Sequence, residues 1–384
     1  MNNRKDFDVI IVGGGLAGIT SAILLSRQKK NVLLIEKNMY PFHKVCGEYV
    51  SNEVLPFLQS LGFNPFHYGA SVLNKLRIST PSGKNIYANH NMGGFGLSRY
   101  TLDHALFQIA QSSGAQALTG TKVSDIDFQD NYFKVKLQTG EIISSSIVIG
   151  SYGKRDGLDK KLNRDFMEEH TGYLGVKYHV RMNEPFEMGL DNFEGGYCGI
   201  AKIEEDKYNL CYLYRQKKGL HHKSIRELEE NILFKNPVIK NIFHNAEFIS
   251  DKPEVINQIS FAPKKLIEQH ILMCGDSAGL IAPLCGNGMA MAIHSAKLIC
   301  ELILDLELLE KPEILPEQRE QLEKQYRKLW KKYFANRLSR GRAIQNLFGN
   351  NVVTELSLRT IHFIPALERW MIAKTHGETL AVQD

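Results

Sequence analysis

The N-terminal part of the chain contains short apolar runs separated by a glycine turn and a longer apolar segment. Residues 9–12 and 32–35 are apolar runs of strand length, and residues 16–28 between them are rich in alanine and leucine. Cationic residues at 27–30 favour the end of a helix there, because the helix dipole attracts cations at its C-terminus. The pattern predicts a buried strand, a glycine turn, a helix over 16–28 and a second strand that ends at Glu36.

Alternation of apolar and polar residues indicates strands farther along the chain. A hairpin is predicted over residues 72–80 and 85–88. A helix is predicted to begin at Ser98, and shorter strands follow at 121–123, 132–138 and 141–150. Longer strands are predicted at 172–182, 195–203, 207–214 and 255–262, with a helix at 224–234. This second pattern is typical of an antiparallel sheet half-covered by helix, which suits a substrate-binding layer.

A last apolar run at 271–274 leads through Gly275-Asp276 and a glycine turn into an apolar helix predicted to end near residue 309. The residues beyond it are basic and helical in pattern. Their charges either form a solvated face or contact an anionic membrane surface or a partner. Together the elements predict an α/β protein. A Rossmann-like domain of residues 1–71, 98–171 and 262–310 is interleaved with a mostly antiparallel sheet domain of 72–97 and 172–261, and a helical region of 311–384 follows.

Length and composition limit the function class. The chain has 384 residues, enough for two or three domains, and 47 basic against 42 acidic residues give a net charge of +5, too balanced to indicate a nucleic-acid partner. The first apolar run is too short for a signal peptide, and no run reaches the roughly 18 apolar residues of a membrane span. The six cysteines have no metal-ligand spacing, so no metal is expected, and they are typical of reduced thiols in a cytoplasmic protein.

Gly13, Gly15 and Gly18 fit the pattern G-x-G-x-x-G between the first strand and the helix. The first glycine permits a tight turn, the second lets the backbone approach a diphosphate, and the third lets helix and strand pack closely. A diphosphate would lie at the helix N-terminus, where free amides and the dipole favour negative charge. Glu36 is placed to accept hydrogen bonds from an adenosine ribose. The pattern predicts a dinucleotide site; the alternative is a glycine turn that serves packing alone.

Other stretches place polar groups beside this site. The turn Lys44-Val-Cys46-Gly47-Glu48 follows the second strand and is expected to lie over the cofactor, although a turn around a buried cysteine explains the same residues. Arg99 is either a phosphate contact or a solvated charge. Gly275-Asp276 sets a carboxylate at the carboxyl edge of the sheet, where α/β folds bind ligands. Pro283-x-x-Gly286-x-Gly288 then presents the N-terminus of the next helix beside that carboxylate.

In their order along the chain these motifs resemble the flavoproteins typified by p-hydroxybenzoate hydroxylase, most closely the geranylgeranyl-reductase-like branch. The resemblance spans residues 6–310 and includes Arg99 within Ser-Arg-Tyr-Thr-Leu-Asp. It implies a FAD-dependent oxidoreductase whose Rossmann-like domain binds FAD. The cofactor contacts implied are Gly13, Gly15, Leu16, Ala17, Gly18, Glu36, Lys37, Lys44, Gly47, Arg99, Val123, Gly275, Asp276, Gly286, Gly288 and Met289.

The resemblance also implies a role for parts of this set. The N-terminal glycines and Glu36 would hold the ADP half of FAD, with the Val123 backbone near the adenine. Asp276 would contact the ribityl and pyrophosphate region. Residues 286–289 would offer amides at a helix start to the pyrimidine edge of the flavin, where the helix dipole stabilises the negative charge of the reduced ring.

The chain departs from the resemblance in segments that matter for activity. Hydroxylases usually carry Gly-Ala-Asp-Gly where this chain has Gly150-Ser-Tyr152-Gly153, so the acid is missing and their nicotinamide handling does not follow. Geranylgeranyl reductases carry Tyr-x-Trp-x-Phe-Pro where this chain has Gly196-Tyr197-Cys-Gly, so a geranylgeranyl substrate does not follow either. Flavin-dependent halogenases carry Trp-x-Trp-x-Ile-Pro, and the tryptophans here, Trp330 and Trp370, lie far downstream, which disfavours halogenation.

The sequence leaves three functions open. The first choice is an NAD(P)H-dependent monooxygenase that hydroxylates an apolar or aromatic small molecule, with FAD carrying the chemistry. The alternative is a reductase of carbon–carbon double bonds in an isoprenoid or lipid, for which Cys46 or Tyr197 would donate a proton. The third is a non-catalytic flavin-binding protein that meets a membrane through its basic C-terminal helices.

Overall fold

The computed structural model describes residues 5–168, 172–183, 185–216, 223–282, 286–311, 313–347, 354–357 and 377–381. Its strands are β1 (Phe7–Val12), β2 (Val32–Ile35), β3 (Tyr49–Ser51), β4 (Ser71–Ser79), β5 (Asn85–Gly96), β6 (Gln116–Leu118), β7 (Val123–Gln129), β8 (Tyr132–Leu137), β9 (Ile142–Gly150), β10 (Tyr173–Arg181), β11 (Met188–Phe193), β12 (Gly196–Lys202), β13 (Lys207–Arg215), β14 (Glu247–Phe248), β15 (Glu254–Ile259), β16 (Ile267–Glu268) and β17 (Ile271–Met273). Its helices are α1 (Leu16–Arg27), α2 (Leu55–Ser60), α3 (Arg99–Ser112), α4 (Gly157–Lys161), α5 (Ile225–Asn231), α6 (Pro237–Asn245), α7 (Gly288–Asp305), α8 (Pro316–Trp330) and α9 (Asn336–Leu347).

The first sheet has the order β16-β17-β9-β1-β2-β6, with the hairpin β7-β8 attached to β9. Strands β17, β9, β1, β2 and β6 are parallel along this order, while β16, β7 and β8 pair in antiparallel fashion. The central strands are continuous apolar runs because helices cover the sheet and leave β1 and β2 almost without solvent contact. The carboxyl ends of β1, β9 and β17 therefore meet at one edge, as the sequence pattern predicted.

The second sheet has the order β14-β10-β13-β12-β11-β4-β5-β3, and β15 pairs with β10. The sheet was expected to be mostly antiparallel, but strands β4 and β11 pair in parallel, so it is mixed. The other pairs are antiparallel. Strand β3 comes from the range assigned to the Rossmann-like domain, yet it joins this second sheet.

Alternation along the second sheet gives it two different faces. One face packs under α5 and α6 and carries Tyr178, Tyr208, Tyr212 and Tyr214. The register of β10, β13 and β12 sets another group of residues on the opposite face, which we call the pocket face. The pocket face contains Tyr173, Gly175, Lys177, His179, Tyr197, Gly199, Asn209, Cys211 and Leu213.

The C-terminal region is helical over α8, a π-helical turn Lys331–Ala335 and α9. Tyr326 donates a 2.7 Å hydrogen bond to the Met273 carbonyl, and the Arg319 guanidinium donates to the Ser146 carbonyl, so α8 is fixed to the first sheet. Among the described residues, no helix is both long enough and apolar enough to cross a lipid bilayer. Trp370 and most of the residues after α9 lie outside the described residues.

Candidate active site

The glycine turn after β1 leaves an open cradle at the start of α1. Gly13 has φ +106°, and a Cβ there would stand 2.4 Å from the Ser151 carbonyl oxygen. A Cβ on Gly18 would stand 2.0 Å from the Gly13 carbonyl oxygen, so both positions require glycine. A Cβ on Gly15 would meet nothing within 4 Å. The space in front of Gly15 and the free amides of Leu16 and Ala17 fits a diphosphate.

The acid of the fingerprint lies against this turn. Glu36 is only 6% exposed and accepts hydrogen bonds from the Gly14 amide at 2.8 Å and the Asn38 amide at 2.9 Å. The Glu36 carbonyl accepts from the Thr121 amide, which brings the start of β7 and Val123 beside the acid. Lys37 is half exposed and forms an ion pair with Asp156 at 3.4 Å.

Tyr40, in the loop after β2, contacts the glycine turn and was missed by sequence reasoning. Its hydroxyl donates to the Gly14 carbonyl, and its ring stacks on Phe107 with centroids 4.2 Å apart. Burial raises the pKa of Tyr40, with the Glu36 and Asp103 carboxylates acting in the same direction. The hydroxyl therefore stays protonated and fixes the glycine turn to α3.

Lys44 and Arg99 share one buried carboxylate. Asp103 binds the Lys44 ammonium at 2.8 Å and both the Nε and the Nη2 of Arg99, at 2.7 and 2.8 Å. Burial would raise the pKa of Asp103, but the adjacent cations, Arg99 first, hold it below its ordinary value. Arg99 is 12% exposed, so it is not the solvated charge that one reading of the sequence allowed. The cluster ties the 44–48 turn to the start of α3.

Glu48 clamps the same turn to the pocket face of the second sheet. Its Oε1 lies 2.6 Å from the Lys177 ammonium and its Oε2 lies 2.7 Å from Nε2 of His179. Glu48 is fully buried and Lys177 is 2% exposed. Burial would raise the pKa of Glu48, but Lys177 and His179 more than offset it and hold the carboxyl below its ordinary pKa. The turn is thus held between the two sheets by a desolvated ion pair.

Cys46 lies at the tip of this clamped turn and is half-buried. Its carbonyl accepts a 3.1 Å hydrogen bond from Asn209 on the pocket face, and its side chain interacts with the Arg99 guanidinium. Gly47, the next residue, is exposed, and a Cβ there would meet nothing within 4 Å, so open space lies on this side of the turn. Together with the cradle at Gly15, this space fits a cofactor that extends from the glycine turn past the 44–48 turn.

Tyr197, the other candidate proton donor, lies on the pocket face. It is 7% exposed and packs with Leu213, Ile259 and Leu280 in an apolar cluster. Partly buried residues extend this cluster, and we call the whole group the apolar cluster: Tyr173, Leu190, Tyr197, Leu213, Ile256, Ile259, Phe261 and Leu280.

The third part of the site follows β17. Gly275 has φ +61°, and Asp276 comes next at the carboxyl edge of the sheet. The Asp276 carboxylate accepts no hydrogen bond from any described residue, so it is available to a ligand. Gly286 has φ +64°, and Gly288 and Met289 begin α7. Pro283 and the two residues after it, also part of this motif, lie outside the described residues.

Sequence reasoning also missed charged residues around the site. Lys177 and His179 could have been found, because they follow Tyr173 and Gly175 at period two and so share a face of β10. Lys154 and Lys264 carry no local pattern, and only the fold brings them together.

Replacing Gly15 by alanine is expected to weaken FAD binding about tenfold or more without destabilising the fold. The added methyl group meets no protein atom within 4 Å but occupies the space that fits the diphosphate. The matched control is Gly18→Ala, whose methyl group would clash with the Gly13 carbonyl and lower the free energy of unfolding. FAD titration and urea denaturation of both variants check this, and a destabilised Gly15→Ala protein with unchanged FAD affinity would contradict the cradle.

Comparison with known proteins agrees with this geometry. A family model described as FAD binding domain matches residues 6–308. The chain is 32% identical over 321 residues to the uncharacterized protein Mbar_A1602 of Methanosarcina barkeri, covering 79% of this chain and 76% of that protein. It is 25% identical over 311 residues to digeranylgeranylglycerophospholipid reductase 2 of Methanothermobacter thermautotrophicus, covering 77% of each.

Among solved structures, the flavin-dependent brominase Bmp2 superposes with a TM-score of 0.76 at 16% identity. The superposition covers 96% of this chain and 93% of the brominase. At that identity the likeness concerns the fold alone. It supports the arrangement of one Rossmann-like sheet, one mixed sheet and a helical C-terminal region.

Proposed function

We propose that this chain reduces a carbon–carbon double bond in an apolar small molecule. The chain belongs to the FAD binding domain family and is a FAD-dependent oxidoreductase. The observation that carries the proposal is the position of Cys46. Its thiol stands on a turn that Glu48 and Asn209 fix against the pocket face, and the preceding residue of that turn, Val45, lies beside Ile259 of the apolar cluster. Reduction of an alkene requires a fixed proton donor, and the pocket face to which this turn is fixed carries the apolar cluster.

The residues of the crevice would hold FAD along its length. The cradle at Gly15 would take the diphosphate, Glu36 the ribose, and the free Asp276 carboxylate a hydroxyl group of the ribityl chain. Amides at the start of α7 would face the pyrimidine edge. When bound, reduced FAD supplies a hydride.

Residues of the protein would supply the proton and bind the substrate. One alkene carbon accepts the hydride, and the Cys46 thiol donates its proton to the other carbon, which forms a carbon–hydrogen bond and leaves a thiolate. The Arg99 guanidinium beside Cys46 stabilises that thiolate until solvent returns a proton. The apolar cluster binds the hydrocarbon part of the substrate and excludes water from it. The likeness to a reductase from Methanothermobacter thermautotrophicus supports this reaction class.

The second candidate is the monooxygenase that the sequence favoured. It requires the same apolar cluster but no proton donor on the 44–48 turn, so the position of Cys46 does not contribute to it. For both candidates we propose NAD(P)H as the electron donor.

The test is a pair of reactions with the purified holoprotein. NADH or NADPH is added without oxygen, and the reduced protein is then mixed with an apolar alkene or with dioxygen. The reductase predicts that the alkene reoxidises the flavin without oxygen and gives the saturated product in equal amount. Flavin that stays reduced until oxygen enters, with a hydroxylated product, would favour the monooxygenase.

A further inference from the structure

We propose that Lys154, Arg155 and Lys264 form an anion subsite beside the flavin crevice, and that the substrate is an amphipathic molecule whose phosphate or carboxylate group binds there. We call these three residues the cationic cluster. The inference rests on the proposed function, because the apolar part of the same molecule is the part that would be reduced.

Lys264 provides a half-buried cation without a carboxylate partner among the described residues. Its ammonium donates to the Lys154 carbonyl at 2.7 Å and the Asp276 carbonyl at 2.8 Å, and it lies 4.2 Å from the centre of the Phe166 ring. Among the described residues, no carboxylate lies within 4 Å of it. An ammonium has three donors, and two carbonyls leave one of them free. Burial lowers the pKa of Lys264 to about 8, although Asp276 and Asp159 oppose the shift.

The other members of the cationic cluster also lack anionic partners within the described ranges. The Lys154 ammonium has only the Val45 carbonyl, at 3.5 Å. The Arg155 guanidinium donates one 3.3 Å hydrogen bond to the Met167 carbonyl, and its Nη1 is buried without a hydrogen-bond partner. A buried donor left without a partner destabilises the protein, because it has lost its hydrogen bond to water. A bound oxyanion would satisfy these donors and neutralise their charge.

The cationic cluster lies where a ligand of the flavin site would reach it. Lys154 and Arg155 follow β9 at the carboxyl edge of the first sheet, and Asp276, whose carbonyl holds Lys264, follows β17 at the same edge. This edge is where sheets of this kind bind ligands. Lys154 and Arg155 directly follow the segment in which Tyr152 replaces the acid of the hydroxylases. The Tyr152 hydroxyl donates to the Met273 sulfur.

The cationic cluster also borders the apolar cluster of the pocket face. The Val45 carbonyl accepts the hydrogen bond from Lys154. The Val45 side chain lies close to Ile259 of the apolar cluster, because a Cβ on Gly175 would stand 3.4 Å from Val45 Cγ1 and 3.3 Å from Ile259 Cδ1. Phe261, three residues before Lys264, packs against the Tyr173 ring with centroids 5.1 Å apart. One molecule with a hydrocarbon body and an anionic head would contact both clusters at once.

The diphosphates of FAD and of a nicotinamide dinucleotide are alternative ligands for the cationic cluster. The adjoining apolar cluster favours the substrate, because neither diphosphate carries a hydrocarbon body. The experiment separates these sources.

Dodecyl phosphate, dodecanol and inorganic phosphate are the probes, titrated into the FAD-loaded protein and followed by calorimetry. Lys154→Met is expected to weaken dodecyl phosphate binding about tenfold or more, since a hydrogen bond to a charged group contributes about 1.5–3 kcal/mol. Dodecanol affinity should stay unchanged, and inorganic phosphate alone should bind more weakly than dodecyl phosphate. Lys265→Met is the matched control, because Lys265 is exposed and pairs with Asp165 at 3.4 Å and Glu268 at 3.7 Å.

Equal losses for dodecanol and dodecyl phosphate, or an equal effect of Lys265→Met, would overturn the proposal. A Lys154→Met protein that binds dodecyl phosphate normally but has lost FAD, or accepts electrons from NADPH slowly, would also overturn the proposal. The cationic cluster would then bind a dinucleotide. The assay needs no turnover. A protein that binds dodecyl phosphate through Lys154 yet reduces no alkene would therefore refute the proposed reaction and not the subsite.

The pH dependence adds a second readout. The charged groups that change the pKa of Lys264 are the carboxylates of Asp276 and Asp159, which raise it, and the cations of Arg164 and Lys154, which lower it. Because only the charged ammonium binds an anion well, dodecyl phosphate affinity should fall as pH rises through about 8. The Lys264→Met protein should lack that fall. An identical pH profile in both proteins would remove Lys264 from the subsite.

Discussion

Replacing Cys46 by alanine is expected to slow the oxidation of reduced flavin by an alkene about 10²–10⁴-fold, the usual contribution of general acid catalysis. The thiol is the group on the 44–48 turn that would donate the proton, and the turn is fixed by Glu48 and Asn209, so no neighbouring group moves into its place. Stopped-flow measurement of the reductive and oxidative half-reactions checks this. Only the oxidative half-reaction should slow, because reduction of the flavin needs no proton from Cys46.

Cys211→Ala is the matched control for this prediction. Cys211 is a second thiol on the pocket face, but burial raises its pKa to about 12, which makes it a poor proton donor. Its removal should leave the rate of the oxidative half-reaction nearly unchanged. A tenfold or smaller effect of Cys46→Ala with unchanged FAD content would remove Cys46 from the mechanism and favour the monooxygenase.

The change Glu48→Gln is expected to lower the free energy of unfolding by about 3–5 kcal/mol. It leaves the Lys177 ammonium buried without a counter-charge, and breaking a buried pair from one side costs about that much. Urea denaturation with the same excess of FAD in each sample measures the loss. The exposed pair Arg181–Glu247, at 3.6 Å, is the control, and Glu247→Gln should cost less than about 1 kcal/mol.

Two further results distinguish the ion pair from general packing at Glu48. The double change Glu48→Gln with Lys177→Met should be less destabilising than the sum of the single changes, because it removes both buried charges. The pKa of Glu48 is held below its ordinary value, so its contribution is present above the unfolded pKa and is lost as pH falls through the folded one. Acid should therefore destabilise the wild type more steeply than Glu48→Gln. Additive losses and parallel pH curves would contradict the pair.

The parts of the site that are local in sequence were predictable from the sequence. The strand, glycine turn and helix around Gly13 and Gly18 follow from short-range sterics, and the structure shows that a Cβ at either position would clash with backbone. Glu36 was predicted beside that turn because a short second strand fixes its place. The hydrogen bond from the Gly14 amide to Glu36 agrees with that position.

Contacts between distant segments were not predictable in the same way. Glu48 and Lys177 are 129 residues apart, and nothing in either segment indicates that they form a buried pair. Strand β11 was missed because its Gly, Asp and Asn residues are depleted in strands, and its parallel pairing with β4 made the sheet mixed. Lys154 and Lys264 meet only because β9 and β17 are neighbours in the first sheet.

The central claim is that the crevice between the glycine turn and the start of α7 binds FAD non-covalently. Acid precipitation of the purified protein, after incubation with FAD if needed, followed by chromatography of the released flavin tests it most directly. The account predicts intact FAD, close to one molecule per chain, because the cradle at Gly15 and the acid Glu36 address the ADP half that FMN lacks. Release of FMN, or no flavin even after incubation with FAD, would contradict it.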